Sequence, residues 1–534
     1  IIIMSTNNNN TVAEYPYVDK NDVDKFSDNE LDDKFDSSSF TSSNLTSKNF
    51  IDNHGITPIT KASSIQKNNY PFFTSFVLWF SSNSSVPIVS MGTLGPILFG
   101  LNFKVCCILI ILTNFFCAIP VAYFATFGKQ FGLRQLILSR FINGYYCARM
   151  FLVFQLIACI GWVAGVNVPA AANCLAMVNA GDHSIPKWAS CIIILAVSFV
   201  VSFFGVNFLQ RFELFSSVLN YVCVFALIAR IKLSGEFSVG ENTGDSKTIA
   251  GNCLSYLAIL ISFNIAWASY GSDYTIYMNK KTNSWRIAFG VFLGLFISLS
   301  FVTIVGAACA SCIHGKIADS YSIHGFGGLL YAILIPSATE TNFNSHLNIF
   351  MNILLTWLSL SVISINIPNF YSFSICCQAI HKFFERFERQ WYTLIAFIIS
   401  VGISIAAVET SFKTFMSDMM DGIGYFAVLF TFITLSEIIV FRRFDLSFIK
   451  PEDYDTKSKL PVGLAGIAAF VLNIPLVAMG MNQSYWVGYI SRKCGGADGG
   501  DVAMEITGAC SFLIYIPLRY FENKWRPYPV KTDD

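Results

Sequence analysis

The sequence is poor in charged residues. Only 13% of its 534 residues are Asp, Glu, Lys or Arg, whereas 54% are hydrophobic and phenylalanine alone occurs 51 times. A water-soluble core cannot absorb so much apolar surface, but the hydrocarbon of a membrane can. The formal net charge is only +1, which argues against nucleic acid as a partner because a phosphate backbone needs a basic surface. The composition therefore predicts a protein whose main partner is membrane lipid.

Metal-binding and catalytic patterns are also missing. The fifteen cysteines stand mostly in apolar runs without the spacing of a metal site, and the six histidines are scattered. We interpret the cysteines as small buried hydrophobic residues and expect neither a metal nor a cofactor. No nucleophile and base are paired within the apolar runs, so the chain is not predicted to be an enzyme.

Long apolar runs fill the chain after residue 70. A helix needs about 20 apolar residues to cross a bilayer, and twelve runs meet this requirement. They lie at residues 73–101, 104–126, 148–178, 187–206, 213–233, 249–271, 286–312, 346–369, 391–409, 420–441, 461–481 and 502–519. A further apolar segment, residues 325–336, is too short and fits a re-entrant or interfacial piece. The pattern predicts an all-α polytopic membrane protein with about 12 transmembrane helices.

The segments at the two ends of the chain are polar. Residues 1–70 hold too little apolar surface to offset chain entropy, so we predict a disordered tail there. The transmembrane domain is expected over residues 71–521, followed by a short tail over residues 522–534. With the N-terminus placed in the cytoplasm, the inner loops hold sixteen Lys and Arg residues and the outer loops nine. This bias predicts that both tails are cytoplasmic.

Two of the predicted spans contain helix-breaking sequences. Span 1 contains Gly92, Gly95 and Pro96, and a backbone break is expected there because proline lacks a donor and glycine loosens a helix. Span 6 ends in residues 266–273, which mix small and polar residues around Trp267. Interrupted helices five spans apart are typical of an inverted-repeat transporter with its site at the midplane. The three residues of span 1 are therefore candidates for gating.

Span 8 carries Asn366, Pro368 and Asn369 at the deep end of an apolar run that begins near His346. In lipid every backbone polar group needs an internal partner, and Pro368 frees a carbonyl one turn back, so this sequence is costly. Two interpretations are open. The amides either join two helices or face a substrate.

Span 3 carries Trp162 and Asn167, an aromatic face and an amide. A planar, neutral, heteroaromatic ligand suits this pair, because rings stack on indole and amides bond to ring N–H and C=O groups. Near the middle of the predicted spans no Arg or Lys is available to bind a carboxylate, which argues against amino-acid substrates. The sequence thus favours a small planar base as the ligand.

Two acidic residues near the inner ends of spans each have two interpretations. Glu437, in span 10 just before Arg442, is either a proton-relay carboxylate or a salt-bridged residue. Asp273, at the end of span 6, either gates by pairing with Lys280 or Lys281 or caps a helix. Both are kept as candidates for gating or coupling.

Eight strings along the chain match a known pattern. They are Trp79-Phe-Ser-Ser-Asn83, Gly92-Thr-Leu-Gly-Pro-Ile-Leu-Phe-Gly-Leu101, Gly132-Leu-Arg-Gln-Leu-Ile-Leu-Ser-Arg140, Ala158-Cys-Ile-Gly-Trp162, Asp273-Tyr-Thr-Ile-Tyr-Met278, Asn366-Ile-Pro-Asn369, Asp421-Gly-Ile-Gly-Tyr425 and Gly499-Gly-Asp501. Together they resemble the fungal purine-cytosine permease family of the nucleobase–cation symporter group. The resemblance implies a fold of the leucine-transporter type, with a five-plus-five inverted repeat and two extra helices. It also implies proton-coupled uptake of cytosine and purine bases across the plasma membrane.

The residues and the resemblance together give the candidates for substrate binding. These are Trp162, Asn167, Trp267, Asn366, Pro368, Asn369 and Ser90. The chain departs from the family pattern at Ile365, where the family often has Asn, and at Val166, where the family's span-3 Asn usually lies. Asn167 follows one position later, about 100° round the helix. In span 1, residues 86–89 replace a small polar residue often seen near the break.

These departures leave alternatives open. Lost amides are expected to change specificity rather than fold. A permease of the same family for vitamin B6 or another small heterocycle, and a nutrient sensor that does not transport, therefore remain alternatives to a base permease.

Overall fold

The structure, a computed structural model, describes residues 55–59, 70–179, 185–202, 206–335, 346–410, 412–496 and 499–528. Most of the predicted disordered tail, residues 1–70, and the end of the predicted C-terminal tail lie outside these residues. The short described part of the first tail packs on the membrane domain. Ile56 and Ile59 are buried, and the Ile59 N–H donates to the carbonyl of Gly132 at 3.0 Å.

Helices make up most of the described chain. They are α1 (Pro71–Ser82), α2 (Val86–Phe99), α3 (Phe103–Phe131), α4 (Gln135–Ile142), α5 (Tyr145–Ile160), α6 (Val168–Leu175), α7 (Lys187–Ser202), α8 (Val206–Ser234), α9 (Ser246–Ile265), α10 (Ser284–Ala310), α11 (Gly315–Leu334), α12 (His346–Leu360), α13 (Val362–Ile380), α14 (Arg389–Glu409), α15 (Phe412–Ser436), α16 (Leu464–Gly480) and α17 (Ala503–Trp525). One antiparallel pair of two-residue strands, β1 (Asn482–Gln483) and β2 (Trp486–Val487), joins α16 to α17.

Eight helical stretches of the described chain are long and apolar enough to cross a membrane. They are Phe103–Phe131, Tyr145–Leu175, Phe212–Ser234, Ser246–Tyr270, Ser284–Ala310, Asn348–Ile380, Arg389–Glu409 and Phe412–Phe441. They coincide with predicted spans 2, 3 and 5 to 10. Spans 4 and 11 fall on the shorter apolar helices α7 and α16, span 1 on α1 with α2, and span 12 on α17. The all-α membrane architecture is confirmed, whereas the number twelve stays a prediction.

The break in span 1 lies elsewhere than predicted. Residues 92–96 are helical within α2, and the helix is interrupted instead at residues 83–85, between α1 and α2. The side chains there bond to the preceding backbone: Asn83 Nδ2 donates to the Trp79 carbonyl at 2.9 Å, and Ser84 Oγ donates to the Ser81 carbonyl at 2.7 Å. Short polar side chains compete in this way with helical hydrogen bonds. The polar sequence, rather than the Gly–Pro sequence, ends the helix.

The glycines of span 1 serve close helix packing. A Cβ atom on Gly92 would lie 2.0 Å from the carbonyl oxygen of Thr303 in α10, and one on Gly306 of α10 would lie 2.0 Å from the carbonyl oxygen of Val89. Small residues allow two membrane helices to approach backbone to backbone. Pro96 stands near the end of α2, which terminates at Gly100 in the left-handed conformation. The prediction of a break at residues 92–96 is therefore wrong.

The predicted break in span 6 is confirmed. The α9 helix ends at Ile265, a 3₁₀ helix covers Ala266–Tyr270, and turns follow up to residue 277. Span 8 differs from the expectation, because its apolar run continues to Ile380 instead of closing at residue 369. Its interruption is the turn at Ser361, whose Oγ accepts a hydrogen bond from the Val86 N–H at the start of α2, at 3.0 Å. The turn in span 8 is thus joined to the break in span 1.

The short apolar segment predicted at residues 325–336 forms the second half of α11. Gly325 has non-helical angles (φ 64°, ψ −141°) and separates this half from the first. Phe326 and Leu329 to Leu334 are largely buried. The segment is therefore a short helix packed on the protein, which agrees with a piece too short to span.

Candidate functional site

A small cavity lies where spans 3, 6 and 8 meet. Its volume is about 20 Å³, which is room for about one water molecule. The lining residues are Trp162, Asn167, Phe263, Ala266, Trp267, Tyr270, Ile365 and Asn369. Every one of these described lining residues is uncharged, and six of them are aromatic or aliphatic. Pockets that hold drug-sized molecules start at about 300 Å³, so the side chains around this cavity must move apart before a ligand can enter.

A π-helix in span 3 places Trp162 and Asn167 on the same cavity. The backbone from Gly161 to Asn167 forms this π-helix between α5 and α6. Residues five apart in an α-helix point about 140° away from each other, but the i→i+5 bonding of a π-helix stacks them. The one-residue displacement of Asn167 relative to the family pattern is therefore compensated by the backbone. Val166 is also fully buried, but it does not line the cavity.

Three polar side chains form a buried chain behind the cavity. Asn167 Nδ2 donates to Asn366 Oδ1 at 3.0 Å, and Asn366 Nδ2 donates to Ser198 Oγ at 3.3 Å. Asn366 is fully buried and lies outside the lining, so it orients Asn167. The Oδ1 atom of Asn167 has no hydrogen-bond partner. A buried acceptor without a partner is unfavourable unless a ligand supplies the donor.

A second polar group stands across the cavity at the break of span 6. The hydroxyl of Tyr270 donates to Asn369 Oδ1 at 2.8 Å, and Asn369 Nδ2 donates to the carbonyl of Ile365 at 2.9 Å. This carbonyl lies one turn before Asn369, so the side chain also bonds the backbone of its own helix. The Tyr270 hydroxyl also lies 3.4 Å from the sulfur of Cys159. The span-8 amide thus fixes the broken end of span 6.

Aromatic rings enclose the cavity. Trp162 meets Phe263 edge to face, with 5.2 Å between ring centroids, and Trp267 meets Tyr270 at 5.5 Å. Behind Trp267 lies Trp79 of α1, whose ring meets that of Trp267 edge to face at 5.2 Å. Edge-to-face contacts hold these indole rings in fixed orientations beside the cavity.

The predicted binding residues are thus partly brought together. Trp162, Asn167, Trp267 and Asn369 line the cavity. Asn366 supports it, Pro368 lies within α13, and the Ser90 hydroxyl donates to the sulfur of Met416 at 3.2 Å. Neither Pro368 nor Ser90 lines the cavity.

Sequence reasoning missed four of the lining residues. Phe263 lies four residues before Trp267 on the same helix face, so its position was available from periodicity. Tyr270 follows in the broken segment itself. Ile365 was singled out only as a departure from the family pattern, whereas it lines the cavity.

A cluster of charged and aromatic groups lies between the end of span 6 and the start of α4. Asp273 Oδ1 accepts the N–H of Gln135 at 2.8 Å and so caps the start of α4. Burial raises the pKa of Asp273 to about 6, against the opposing effects of Arg134 and of the Gln135 N–H. The guanidinium groups of Arg134 and Arg389 lie 4.7 and 4.6 Å from the centre of the Tyr371 ring. Of the two interpretations of Asp273, the structure shows a helix cap.

Glu437 lies in a salt-bridge network away from the cavity. Its carboxylate accepts hydrogen bonds from Arg442 at 2.8 Å, from Arg519 at 3.0 and 3.1 Å, and from the hydroxyl of Tyr515 at 2.9 Å. Arg519 also contacts Glu522 at 3.0 Å, and Glu522 accepts the first N–H groups of α16. The network joins spans 10, 11 and 12, which corresponds to the salt-bridged interpretation of Glu437.

Comparison with known proteins places these features in a family. Residues 66–488 match the family described as permeases for cytosine/purines, uracil, thiamine and allantoin. The chain is 38% identical over 473 residues to the purine-cytosine permease FCY21 of Saccharomyces cerevisiae, a match covering 88% of this chain and 86% of that protein. It is 27% identical over 500 residues to the vitamin B6 transporter TPN1 of Saccharomyces cerevisiae, covering 83% of each chain.

Among solved structures, the chain is similar to Mhp1, a nucleobase-cation-symport-1 family transporter in a closed conformation with bromovinylhydantoin bound. The TM-score is 0.64 at 15% identity, and the match covers 88% of this chain and 96% of that one. This likeness concerns the fold, which is of the leucine-transporter type. The family match covers most of the chain, and its relatives are permeases rather than enzymes. The chain therefore belongs to the cytosine/purine permease family and is a membrane transporter.

Proposed function

We propose that this protein takes up cytosine and purine bases together with a proton, across the plasma membrane, by alternating access. The observation that carries the proposal is the uncharged cavity at the helix breaks, lined by two indoles and two amides. Its relatives named as purine-cytosine permeases support the choice of substrate.

Each lining group has a role suited to a planar base. Trp162 and Trp267 offer faces on which a heteroaromatic ring stacks. The unpartnered Oδ1 of Asn167 accepts a ring N–H or an exocyclic amine, while Asn369 bonds the base or keeps Tyr270 in place. The breaks at residues 83–85 and 266–270 let each half-helix move without the other, so that the cavity opens to one side at a time.

The proposal includes the orientation of the chain. Lys and Arg are more frequent in the loops assigned to the cytoplasm, which supports cytoplasmic tails at both ends. Protease accessibility of epitope tags, placed at either end in sealed plasma-membrane vesicles of known sidedness, tests this assignment. A tag cleaved from the outside of intact cells would contradict it.

A vitamin B6 permease is the second candidate. Ile365 puts an aliphatic side chain in the cavity where the family pattern often has an amide, and such a change is expected to alter specificity among the family's substrates. The similarity to a vitamin B6 transporter is lower than that to the purine-cytosine permeases.

Uptake of radiolabelled cytosine, in cells that lack their own permeases, separates these functions. Uptake is measured at acid and at neutral pH, with adenine, hypoxanthine or pyridoxine as competitors. Accumulation that adenine inhibits and a protonophore abolishes is expected for a proton-coupled base permease. Entry of pyridoxine without cytosine would establish the second candidate. Entry of neither, by a protein present at the surface, would contradict both and favour a sensor.

A further inference from the structure

A buried carboxyl group lies beside the break of span 1. Glu213, in the second turn of α8, is only 1% exposed. Its Oε1 atom accepts a hydrogen bond from the hydroxyl of Ser82 at 3.2 Å, and its Oε2 atom has no partner. Ser82 is the last residue of α1, immediately before the interruption at residues 83–85. Neither the substrate cavity nor the charged cluster at the start of α4 includes Glu213.

Side chains on one face of α8 form hydrogen bonds with Ser82, just before this break, and with Ser84 inside it. Asn220 follows Glu213 by seven residues, two turns along the helix. Its Nδ2 atom donates to Ser84 Oγ at 3.1 Å, and its Oδ1 atom accepts the indole N–H of Trp357 in α12 at 3.0 Å. Span 5 therefore fixes the break of span 1 through one neutral amide and one acid. Only the acid can change its charge.

The surroundings of Glu213 supply no counter-charge in the described part of the chain. The helices α1, α10, α11, α12 and α13 pack on α8, and none forms a described ion pair with Glu213. Its titratable neighbour is the phenol of Tyr274, which also interacts electrostatically with Asp273. An ionised carboxylate is costly in such a place unless it is paired. In this packed arrangement the acid is therefore favoured over the carboxylate.

One short helix connects this acid to the substrate cavity. Ser82 and Trp79 are three residues apart and lie on neighbouring positions of α1. Ser82 bonds Glu213, and Trp79 contacts both Trp267 of the cavity and Tyr274, at 5.2 and 5.7 Å between ring centroids. A shift of α1 therefore changes the environment of the cavity and of the acid together.

We propose that Glu213 is the proton-binding residue of the symport, an inference that rests on the proposed proton-coupled function. The carboxylate takes up one proton, forming an O–H bond at Oε2, and stays neutral while α1 is packed on α8. When α1 moves away, water reaches the group, the O–H bond breaks, and the proton leaves to the cytoplasm. No electron transfer is involved. Hydration then stabilises the carboxylate until α1 repacks.

The test compares Glu213→Gln with the intact protein in two assays of cytosine transport. The first is accumulation driven by a pH gradient in membrane vesicles, and the second is exchange of labelled for unlabelled cytosine at equal pH. One proton per substrate permits about tenfold accumulation for each pH unit of gradient. We expect the Gln variant to exchange cytosine at near-normal rates but to reach an internal concentration equal to the external one, whatever the gradient.

A matched control is Glu505→Gln at the outer end of α17, because the carboxylate oxygens of Glu505 are also buried without a partner. We expect this variant to accumulate cytosine like the intact protein. Equal loss in both variants would overturn the assignment of Glu213, since it would indicate a general effect of removing a buried acid.

Other outcomes distinguish a failure of the Glu213 inference from a failure of the proposed function. If the intact protein accumulates cytosine in a protonophore-sensitive manner and Glu213→Gln does so equally, the inference fails while the proposed function stands. If the intact protein shows no such accumulation, both fail. If Glu213→Gln does not reach the membrane, the same assays are made with Glu213→Asp. It keeps the acid but moves it by one methylene, so coupling is expected to persist with a shifted pH dependence, and an unchanged pH profile would count against Glu213.

Discussion

At the scale of single residues, the amide chain from Ser198 through Asn366 to Asn167 decides how one ligand-facing group is presented. Asn366 contributes without lining the cavity, since its Oδ1 atom holds the Nδ2 atom of Asn167. The remaining Asn167 oxygen belongs to a side chain that lines the cavity, and it has no hydrogen-bond partner. A fixed acceptor of this kind rejects ligands that cannot supply a donor.

Replacement of Asn366 by Ala is expected to weaken or abolish cytosine uptake while the protein still reaches the surface. The change leaves the buried Asn167 amide without its partner, which costs about 1–3 kcal/mol and frees its side chain to turn. Initial uptake rates, normalised to surface protein, measure the effect. Asn473→Ala is the control, because Asn473 is a buried membrane asparagine of α16 that bonds only the Ala469 carbonyl. Normal uptake by the Asn366 variant would refute the role given to the amide chain.

Replacement of Ile365 by Asn is expected to raise the selectivity for bases over pyridoxine. The side chain faces the cavity, and one added hydrogen bond contributes about 0.5–1.5 kcal/mol, up to about a tenfold change in the uptake ratio. Competition curves for cytosine, adenine and pyridoxine measure the ratio. Ile365→Leu keeps the site apolar and should preserve the original selectivity. An unchanged ratio in the Asn variant would show that Ile365 does not determine specificity.

At the scale of helices, the residues that break a span and those that pack it have different chemical signatures. Polar side chains at residues 83–85 bond their own backbone and interrupt span 1. The glycines nearby allow α2 and α10 to approach closely instead. A gating role for Gly92 and Gly95 therefore concerns how helices slide over one another rather than where the backbone bends.

Replacement of Gly92 by Ala is expected to lower thermal stability, because the new Cβ would meet the Thr303 carbonyl. Overpacking of this type costs about 1–3 kcal/mol. Unfolding of the detergent-solubilised protein, followed by fluorescence, measures the change. Gly402→Ala in α14 is the matched control, since no atom lies within 4 Å of its added Cβ. A stable Gly92→Ala protein with altered transport would point to a hinge rather than to a packing contact.

At the scale of the whole molecule, contacts between distant segments surround the start of α4. Asp273 after span 6 caps α4, Arg134 stacks on Tyr371 of span 8, and residues 55–59 lie over Gly132. These contacts connect both halves of the transporter on the side proposed to face the cytoplasm. Opening toward that side must separate them.

The pH dependence of stability tests the contact of Asp273. Since burial raises the folded-state pKa of Asp273 to about 6, its contribution to stability is present at low pH and is lost as the pH rises through 6. The loss begins near the ordinary pKa of 3.8 and is complete somewhat above pH 6, so we expect the stability of Asp273→Asn relative to the intact protein to be greater at pH 8 than at pH 5 by about 1–2 kcal/mol. Thermal unfolding across this pH range measures the difference. Lower stability of the variant at pH 8 would show that attraction to Arg134 outweighs burial.

The sequence by itself determined that the chain is a membrane protein and that span 6 is broken near its end. It also determined the residue types of the candidate site. These follow from composition and from local patterns: apolar runs long enough for a bilayer, small and polar residues around Trp267, and amides placed where lipid would make them costly. Trp162, Asn167, Trp267 and Asn369 were found in this way, and all four line one cavity.

Only the tertiary structure decided which of several helix-breaking sequences breaks the helix and which polar groups meet. Gly92 and Pro96 have the composition of a hinge, but α10 packs so closely against α2 that the helix stays intact. Asn167 lies one position late in the sequence, yet the π-helix brings it into register with Trp162. Glu213 is an ordinary acid in the sequence, and only the packing of α1 and α8 makes it a buried carboxyl group without a counter-charge in the described chain. Local sequence specifies propensity, whereas burial, register and partner choice arise from contacts between residues far apart in the chain.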